Sequence, residues 1–383
     1  MALHFSREEL AKRRKNVCST MAEIGLKGIL IFRQESMFYL TGYDTFGFCF
    51  FQCLFLNVNG AMTLLTRAPD LRQARHTSVI EDIRIWTDTP DAKPAEELKS
   101  ILADHNCKGA QLGIEWDSYG LTALEGMRIQ QTMDGFCNLI NASDLIDQLR
   151  VIKSDSEMVY VRRAAVLADE SYDLACELAQ KGAFEGDILA AMQGAIFKGG
   201  GDYPGNEFII GSGENALLCR YFTGRRSLNT HDQLTLEWAG AYRHYHAAMM
   251  RTLIIGKAPD RQKHMFNVCC DALAAVQAAI KPGNTFGQAF DAHAQVIDAA
   301  DMQEHRLNAC GYSLGTTFSP IWMDRPMLYH GNTTEFQPNM VIFCHMIIFD
   351  SDTTLAMTLG ETIHVTQSGC DRLSSSPWEL VEN

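Results

Sequence analysis

Hydrophobic and polar residues in the first 150 positions follow one another in blocks that predict a small α/β unit. Helices are expected from about residue 7 to 24 and from 95 to 105. Short apolar runs typical of strands occupy residues 28–32, 49–58, 61–66, 83–86 and 111–115. Strands and helices that alternate in this way favour a sheet covered by helices.

The rest of the chain predicts a larger α+β unit, so the two domains are placed at 1–150 and 151–383. A long helix is expected to begin after Ser154, which with Glu157 three residues later matches a capping box. Further helices are expected near residues 185–197, 259–280 and 287–298. Strand pairs are expected at 234–238 with 250–255 and at 341–349 with 355–365. They flank turn-like segments at 240–246 and 350–354. Runs of strands between helices favour an antiparallel sheet.

Composition agrees with two soluble domains and excludes some partners. A chain of 383 residues exceeds the usual size of one core. Its 46% hydrophobic and 21% charged residues are typical of globular proteins. A formal net charge of −13 argues against nucleic acid or an anionic membrane as a partner, because either would need a basic face.

The N-terminal segment and the cysteines predict a cytoplasmic protein. The opening MALHFSREELAKRRK lacks the apolar core of a signal peptide. The most apolar stretch, residues 46–56, is far shorter than the roughly 20 residues that cross a bilayer. The twelve cysteines contain no CxxC pair and are therefore expected to be reduced, buried thiols.

Five stretches in the second half resemble the pita-bread family in order and spacing: LTLEWAG, HYHAAMMRTLIIG, ACGYSLG, PNMVIFCHM and LGETIHVTQSGC. That family holds methionine aminopeptidases, Xaa-Pro peptidases, creatinases and ectoine hydrolases. The stretches ILIFRQESMFYLTGYD and RVIKSDSEMVYVRRAA resemble the N-terminal domain and the domain junction of its two-domain branch. The resemblance implies a pita-bread catalytic domain behind a smaller creatinase-like domain. It also implies a homodimer in which the partner's N-terminal domain closes the site.

The resemblance also implies where two metal ions would bind. The dinuclear peptidases use Asp, Asp, His, Glu and Glu, and the matching residues here are Glu237, Ala248, Tyr312, His345 and Glu361. Alanine offers no ligand, and a tyrosine phenol stays protonated at neutral pH. We therefore predict no metal or other cofactor, although one imidazole and two carboxylates leave a mononuclear site open.

The residues that remain predict a catalytic pocket built on side chains. Glu237 and Glu361 are expected to lie close together, which would raise the pKa of one of them and suit acid–base or nucleophilic work. Each could instead pair with an arginine. His345 stands in an apolar strand and needs a hydrogen-bond partner, for which Glu361 is the candidate. It is the predicted proton shuttle. His246 is either a second catalytic histidine or a structural one.

The candidates for substrate binding are two arginines and several aromatic residues. Arg220 either binds a substrate carboxylate or neutralises the glutamates. The segment SPIWMDRPMLYHGN, with Trp322 and Arg325, resembles a loop of ectoine hydrolases. Core packing explains the aromatic candidates equally well. They are Tyr245, Tyr312 and Phe48, the last of these as part of a lid from the partner subunit.

These residues predict a metal-independent hydrolase of a small charged C–N compound, similar to ectoine hydrolases, which open a cyclic amidine. One glutamate would attack the amidine carbon or activate water, and His246 or His345 would protonate the leaving nitrogen. Creatine is disfavoured, because Met250 and His345 replace glutamates of creatinases. The alternatives are a metal-dependent Xaa-Pro peptidase, an enzyme like the dimethylsulfoniopropionate lyases, and a non-catalytic binding protein.

Overall fold

The computed structural model describes residues 3–222 and 224–383. The chain divides into two compact units, Met1–Arg150 and Val151–Asn383. The predicted fold class, an α/β unit followed by a larger α+β unit, is confirmed. Within the described residues, every helix is too short or too polar to cross a membrane.

The first unit is a six-stranded mixed sheet with helices. The strands lie in the order β4-β3-β2-β1-β5-β6. Their bounds are β1 Gly28–Ile31, β2 Cys53–Asn57, β3 Met62–Arg67, β4 Asp82–Trp86, β5 Gln111–Ile114 and β6 Asn138–Asn141. The helices are α1 Arg7–Glu23, α2 Gln34–Thr41, α3 Leu71–Thr77, α4 Pro94–Asp104, α5 Ala123–Met133 and α6 Leu145–Arg150.

A buried carboxylate, Glu115, connects this sheet to the start of α2. It follows β5 directly and accepts hydrogen bonds from the backbone N–H groups of Phe32 and Arg33 at 2.9 and 2.8 Å, and from the Ser36 hydroxyl at 2.7 Å. These donors include backbone groups that a helix start leaves without an intrahelical partner. Burial nevertheless raises the pKa of Glu115 to about 7.

The second unit is an eight-stranded sheet in the order β11-β10-β12-β13-β9-β8-β7, with β14 paired to β13. The strands are β7 Ile209–Ser212, β8 Asp232–Tyr242, β9 Tyr245–Ile255, β10 Ala309–Ser313, β11 Asp324–Tyr329, β12 Val341–Asp350, β13 Leu355–Val365 and β14 Cys370–Arg372. The helices are α7 Asp155–Leu178, α8 Glu185–Lys198, α9 Asp260–Ala279 and α10 Phe286–Ala299. The capping box predicted for Ser154 and Glu157 is present at the start of α7.

Helices α7, α9 and α10 cover one face of this sheet. Apolar side chains of β12 and β13, among them Ile342, Cys344 and Leu359, pack with those of α9 and α10 in one buried cluster. On β8 of the same face, Trp238 stacks on Tyr172 of α7 with ring centroids 5.5 Å apart. We call this side the helix-covered face.

The turn between β8 and β9 differs from the prediction. A turn-like segment was expected over residues 240–246, but both strands continue until only Arg243 and His244 lie between them. Both residues have positive φ, 54° and 63°, as a two-residue type I′ hairpin turn requires. Neither is the glycine, asparagine or aspartate that normally indicates such a turn, so the sequence pattern placed it too broadly.

Candidate active site

The strand register assigns side chains to the two faces of the sheet, because successive residues of a strand point in opposite directions. Glu237 lies opposite Met250, Met250 opposite Gly360, and Gly360 opposite His345. These four residues form a row across β8, β9, β13 and β12. We call the side on which they lie the inner face. Tyr312, paired with Phe343 two residues before His345, lies on it as well.

Tyr312 connects two of the predicted site residues by hydrogen bonds. Its hydroxyl donates to Oε1 of Glu237 at 3.2 Å and accepts from Nε1 of Trp322 at 2.9 Å. All three side chains are buried. Burial raises the pKa of the Tyr312 phenol well above its usual range, so the residue remains a donor. The structure thus brings Glu237, Tyr312 and Trp322 together in one chain of hydrogen bonds.

Glu237 has the electrostatics of a reactive carboxylate. The residue is only 8% exposed, and burial raises its pKa to about 7. Arg220 and the Tyr312 hydrogen bond act in the opposite direction and lower the pKa. Arg220 is itself exposed, and none of the described residues forms a hydrogen bond or ion pair with its guanidinium. A carboxyl group with a pKa near 7 exchanges protons readily at neutral pH.

His345 also faces the site, but without the partner that was predicted. Its Nδ1 is buried and has no hydrogen-bond partner among the described residues, while its ring lies 5.7 Å from that of Tyr312. Burial lowers its pKa to about 4, so the imidazole is neutral at physiological pH. The predicted hydrogen bond from His345 to Glu361 is wrong.

The prediction that Glu361 joins Glu237 in one pocket is also wrong. Glu361 lies opposite Cys344, on the helix-covered face. There its Oε1 accepts from Arg251 at 2.5 Å and from the Trp378 indole at 3.0 Å, and Glu361 is fully buried. The alternative of pairing with an arginine is the observed one. Burial raises its pKa, and these partners lower it in part.

Gly360, rather than Glu361, faces the site at this point of β13. A shift of one residue in a strand moves a side chain to the opposite face. Aligning the family motif one residue too late along β13 therefore assigned Glu361 to the site. A Cβ atom on Gly360 would lie 2.7 Å from Cζ of Phe343 and 2.8 Å from Cβ of Met250. These side chains therefore fill the space that a longer residue would need.

The donor set on the inner face does not fit a two-metal centre. By register, Glu237 is the only acid that β8, β9, β12 and β13 direct to this side. Ala248 and Gly360 offer no ligand atoms, and two divalent ions need several anionic oxygens. The one group of three potential ligands within residues 3–222 and 224–383 is His305, Asp350 and Asp352, none of which belongs to the row.

The contacts of His246 are those of a structural residue, the second of the two roles predicted for it. It lies on the inner face and is fully buried. Its Nε2 accepts from the backbone N–H of Gly205 at 2.9 Å, and Nδ1 lies 3.2 Å from Thr317 Oγ1 and 3.4 Å from the Gly315 carbonyl oxygen. Because these contacts occupy both nitrogens, the imidazole is not available to exchange a proton with substrate. Burial lowers its pKa to about 4.

The remaining candidates lie in different places. Tyr245 is on the helix-covered face and donates to Glu157 of α7 at 2.8 Å, so its predicted contact with substrate is wrong. Arg325 is exposed on β11, and Phe48 is half-buried in the first unit. Sequence reasoning missed Arg251 as the partner of Glu361, because the two residues are 110 positions apart and no local pattern connects them.

Comparison with known proteins identifies the family. The model of metallopeptidase family M24 matches residues 159–367, and that of the creatinase/prolidase N-terminal domain matches residues 13–152. An ectoine hydrolase from Halomonas elongata is 26% identical over 99% of this chain and 98% of its own length. A Xaa-Pro dipeptidase from Pyrococcus furiosus is 20% identical over 97% of this chain and 100% of its own. The structure of a Xaa-Pro dipeptidase from Bacillus anthracis has the same fold, with a TM-score of 0.85, 22% identity, and coverage of 98% of this chain and 100% of that one. The predicted resemblance is confirmed, and the chain belongs to metallopeptidase family M24.

Proposed function

We propose that this protein is a hydrolase that opens a small, charged C–N compound, such as a cyclic amidine, without metal ions. The observation that supports it best is the state of Glu237. It is the one acid that four central strands direct to the inner face, it is held by Tyr312, and its pKa is raised to about 7. Such a group suits proton transfer or nucleophilic attack at neutral pH.

The similarity to an ectoine hydrolase suggests the substrate class. Ectoine is a cyclic amidine with a carboxylate, so it has one cationic and one anionic group. An amidinium beside Glu237 would replace the charge that metal ions supply in the dinuclear peptidases. The substrate carboxylate would meet Arg220, whose planar guanidinium suits that group. Because the Coulomb effect of Arg220 already lowers the pKa of Glu237, its charge acts close to this carboxylate.

One carboxylate must serve both proton-transfer steps in this proposal, since Glu361 lies on the other face of the sheet. Glu237 would take a proton from water as the hydroxyl adds to the amidine carbon. The C–N bond would then break, and the same proton would pass to the leaving nitrogen. His345 would accept or donate hydrogen bonds as a neutral imidazole, consistent with its pKa of about 4.

The active form is proposed to be a homodimer closed by the partner's N-terminal domain, with Phe48 in the lid. This rests on the resemblance to two-domain members of the family alone. Light scattering of the full chain tests the assembly, and a monomer at micromolar concentration that turned over substrate would contradict it.

Turnover of ectoine and related cyclic amidines, followed by proton NMR, tests the function. The Glu237→Gln variant is expected to lose at least about a hundredfold in kcat, because removing a positioned acid–base group typically costs that much. Glu304→Gln, on an exposed surface turn, is the control and should keep wild-type activity. A Glu237→Gln variant that turned over substrate at the wild-type rate would refute the proposal.

A further inference from the structure

Trp322 fixes the direction of the hydrogen bonds that reach Glu237. An indole N–H can only donate, so the Tyr312 oxygen must be the acceptor in their 2.9 Å contact. A phenol has one proton, and the acceptor that Tyr312 contacts with it is Oε1 of Glu237 at 3.2 Å. The chain of donors therefore runs one way, from Trp322 through Tyr312 to Glu237.

We propose that Trp322 is a positioning residue for Glu237: it holds the Tyr312 hydroxyl so that its proton binds Oε1, and it leaves Oε2 to meet the substrate. The assignment rests on the proposed role of Glu237 as the reactive group. Oε2 accepts no hydrogen bond from the described residues, and it is not among their buried atoms that lack a partner. The two oxygens of one carboxylate thus have different tasks.

The indole itself is held by two loops of the second unit. The Trp322 backbone N–H donates to Oδ1 of Asn206 at 3.1 Å. The neighbouring residue, Gly205, donates its N–H to His246, whose ring also contacts Thr317 of the loop that leads to Trp322. Trp322 is 1% exposed, so water does not compete for its N–H. This explains why a fully buried histidine with both nitrogens occupied lies beside the site.

A purely structural tryptophan would behave differently from a positioning one. If Trp322 only filled space, its replacement would lower the stability of the fold whether or not Tyr312 had a hydroxyl group. If it acts through Tyr312, its effect on Glu237 depends on that hydroxyl. Trp238 is the matched control, because it is equally buried and its Nε1 donates to the Ala168 carbonyl oxygen at 2.9 Å on the helix-covered face.

The experiment follows the Glu237 carboxyl group by infrared difference spectroscopy across pH, using the full chain without substrate. The Glu237→Gln variant identifies the band. Removing the Tyr312 hydroxyl with Tyr312→Phe should raise the proton affinity of Glu237 by about tenfold, since hydrogen bonds to charged groups have that strength. Trp322→Phe should raise it by a smaller factor, because a phenol that accepts a hydrogen bond is a better donor.

The decisive comparison is the double variant. Trp322→Phe should add no further change in the Tyr312→Phe background, and Trp238→Phe should leave the Glu237 titration unchanged. If Trp322→Phe is unstable, benzothienylalanine at position 322, which replaces the indole N–H with sulfur, gives the same comparison. An equal effect of the Trp322 change in both backgrounds, or no effect in either, would overturn the proposal. Because no turnover is measured, a failure of the proposed hydrolase activity is a separate result.

Discussion

Tyr312 and Glu237 are hydrogen-bonded at 3.2 Å although four strand spacings separate β10 from β8 in the sheet. A flat sheet would place these strands about 19 Å apart, farther than the two side chains can span. The sheet must therefore curve strongly, with the inner face on its concave side. Below the contact lies Gly360, and the side chains of Phe343 and Met250 fill the space beside that glycine.

The pH dependence of catalysis follows from this contact. Glu237 must be ionised to accept a proton, so kcat/KM should rise with pH and reach half its maximum near pH 7. Tyr312→Phe removes a donor that lowers the pKa of Glu237, so the midpoint should move to higher pH by on the order of one unit. Initial rates between pH 5 and 9, roughly the range over which the fold should persist, measure both. A midpoint that moved downward would contradict this account.

Activity should not require metal ions, and restoring acidic residues at the family's ligand positions should not restore metal binding. Activity is expected to survive dialysis against EDTA without loss. The double variant Ala248→Asp with Gly360→Glu should bind no Mn²⁺ or Co²⁺ stoichiometrically in calorimetry, because Phe343 and Met250 fill the space at position 360.

Adding Phe343→Ala and Met250→Gly to that double variant is the matched test of the packing argument. The two changes remove the ring and the Cβ atom that a Cβ at position 360 would meet, so metal affinity should appear only then. Stoichiometric binding by the double variant alone would show that the site accepts ions despite its packing.

Replacing Arg220 separates its effect on the pKa of Glu237 from any direct binding of the substrate carboxylate. Arg220→Gln should raise the pKa of Glu237, because the guanidinium lowers it, and so shift the acid limb of the pH profile upward. If Arg220 also binds the substrate carboxylate, KM should rise at least about tenfold, as expected when a charge-assisted hydrogen bond is lost. For a substrate analogue with a neutral amide in place of that carboxylate, the wild type and Arg220→Gln should then have the same KM. An equal rise in KM for both compounds would assign Arg220 to neutralising Glu237 only.

The buried pair of Arg251 and Glu361 is expected to stabilise the fold and to take no part in catalysis. Arg251→Met leaves Glu361 without its main partner and should lower the free energy of unfolding by about 3 to 5 kcal/mol. Replacing both residues with methionine should recover much of that loss. Urea unfolding measures each variant. A large fall in kcat for the folded double variant would contradict the assignment.

Glu237 itself should destabilise the protein at neutral pH. Its pKa in the fold, about 7, lies above the ordinary value of 4.5. The ionised form therefore costs stability above the ordinary pKa, and that cost disappears as pH falls from about 7 to below 4.5. Glu237→Gln should be more stable by roughly 2 to 3 kcal/mol at pH 8 and by much less at pH 5. Calorimetry at the two pH values tests the difference, and an equal gain at both would refute it.

The sequence predicted most long elements to within a few residues because their signals are local. The Ser154 capping box and the amphipathic helices α9 and α10 are examples. The positions of Glu361 and Tyr245 could not be predicted, because the face to which a strand residue points depends on a register that a single residue reverses. The Arg243–His244 turn has no glycine to mark its positive φ angles.

The residues of the candidate site that belong to family motifs were predictable, and the contacts made through loops were not. Glu237, Tyr312 and His345 stand where the family motifs place them, and all three face inward. The hydrogen bond from Trp322 joins residues ten positions apart across a loop, and no periodicity in the sequence indicates it. The structural role of His246 depends likewise on a hydrogen bond from Gly205, which is 41 residues away.

The place of Glu361 has a consequence for how this family is surveyed. An acidic residue, Glu361, remains in the last motif, yet it binds Arg251 on the helix-covered face. Gly360 takes the position that faces the site. A search that scores motifs by the residues they contain would count this chain as keeping a metal ligand. Sorting family members by which face each motif residue occupies would separate chains whose last motif acid faces the site from chains, like this one, in which that acid faces the helices.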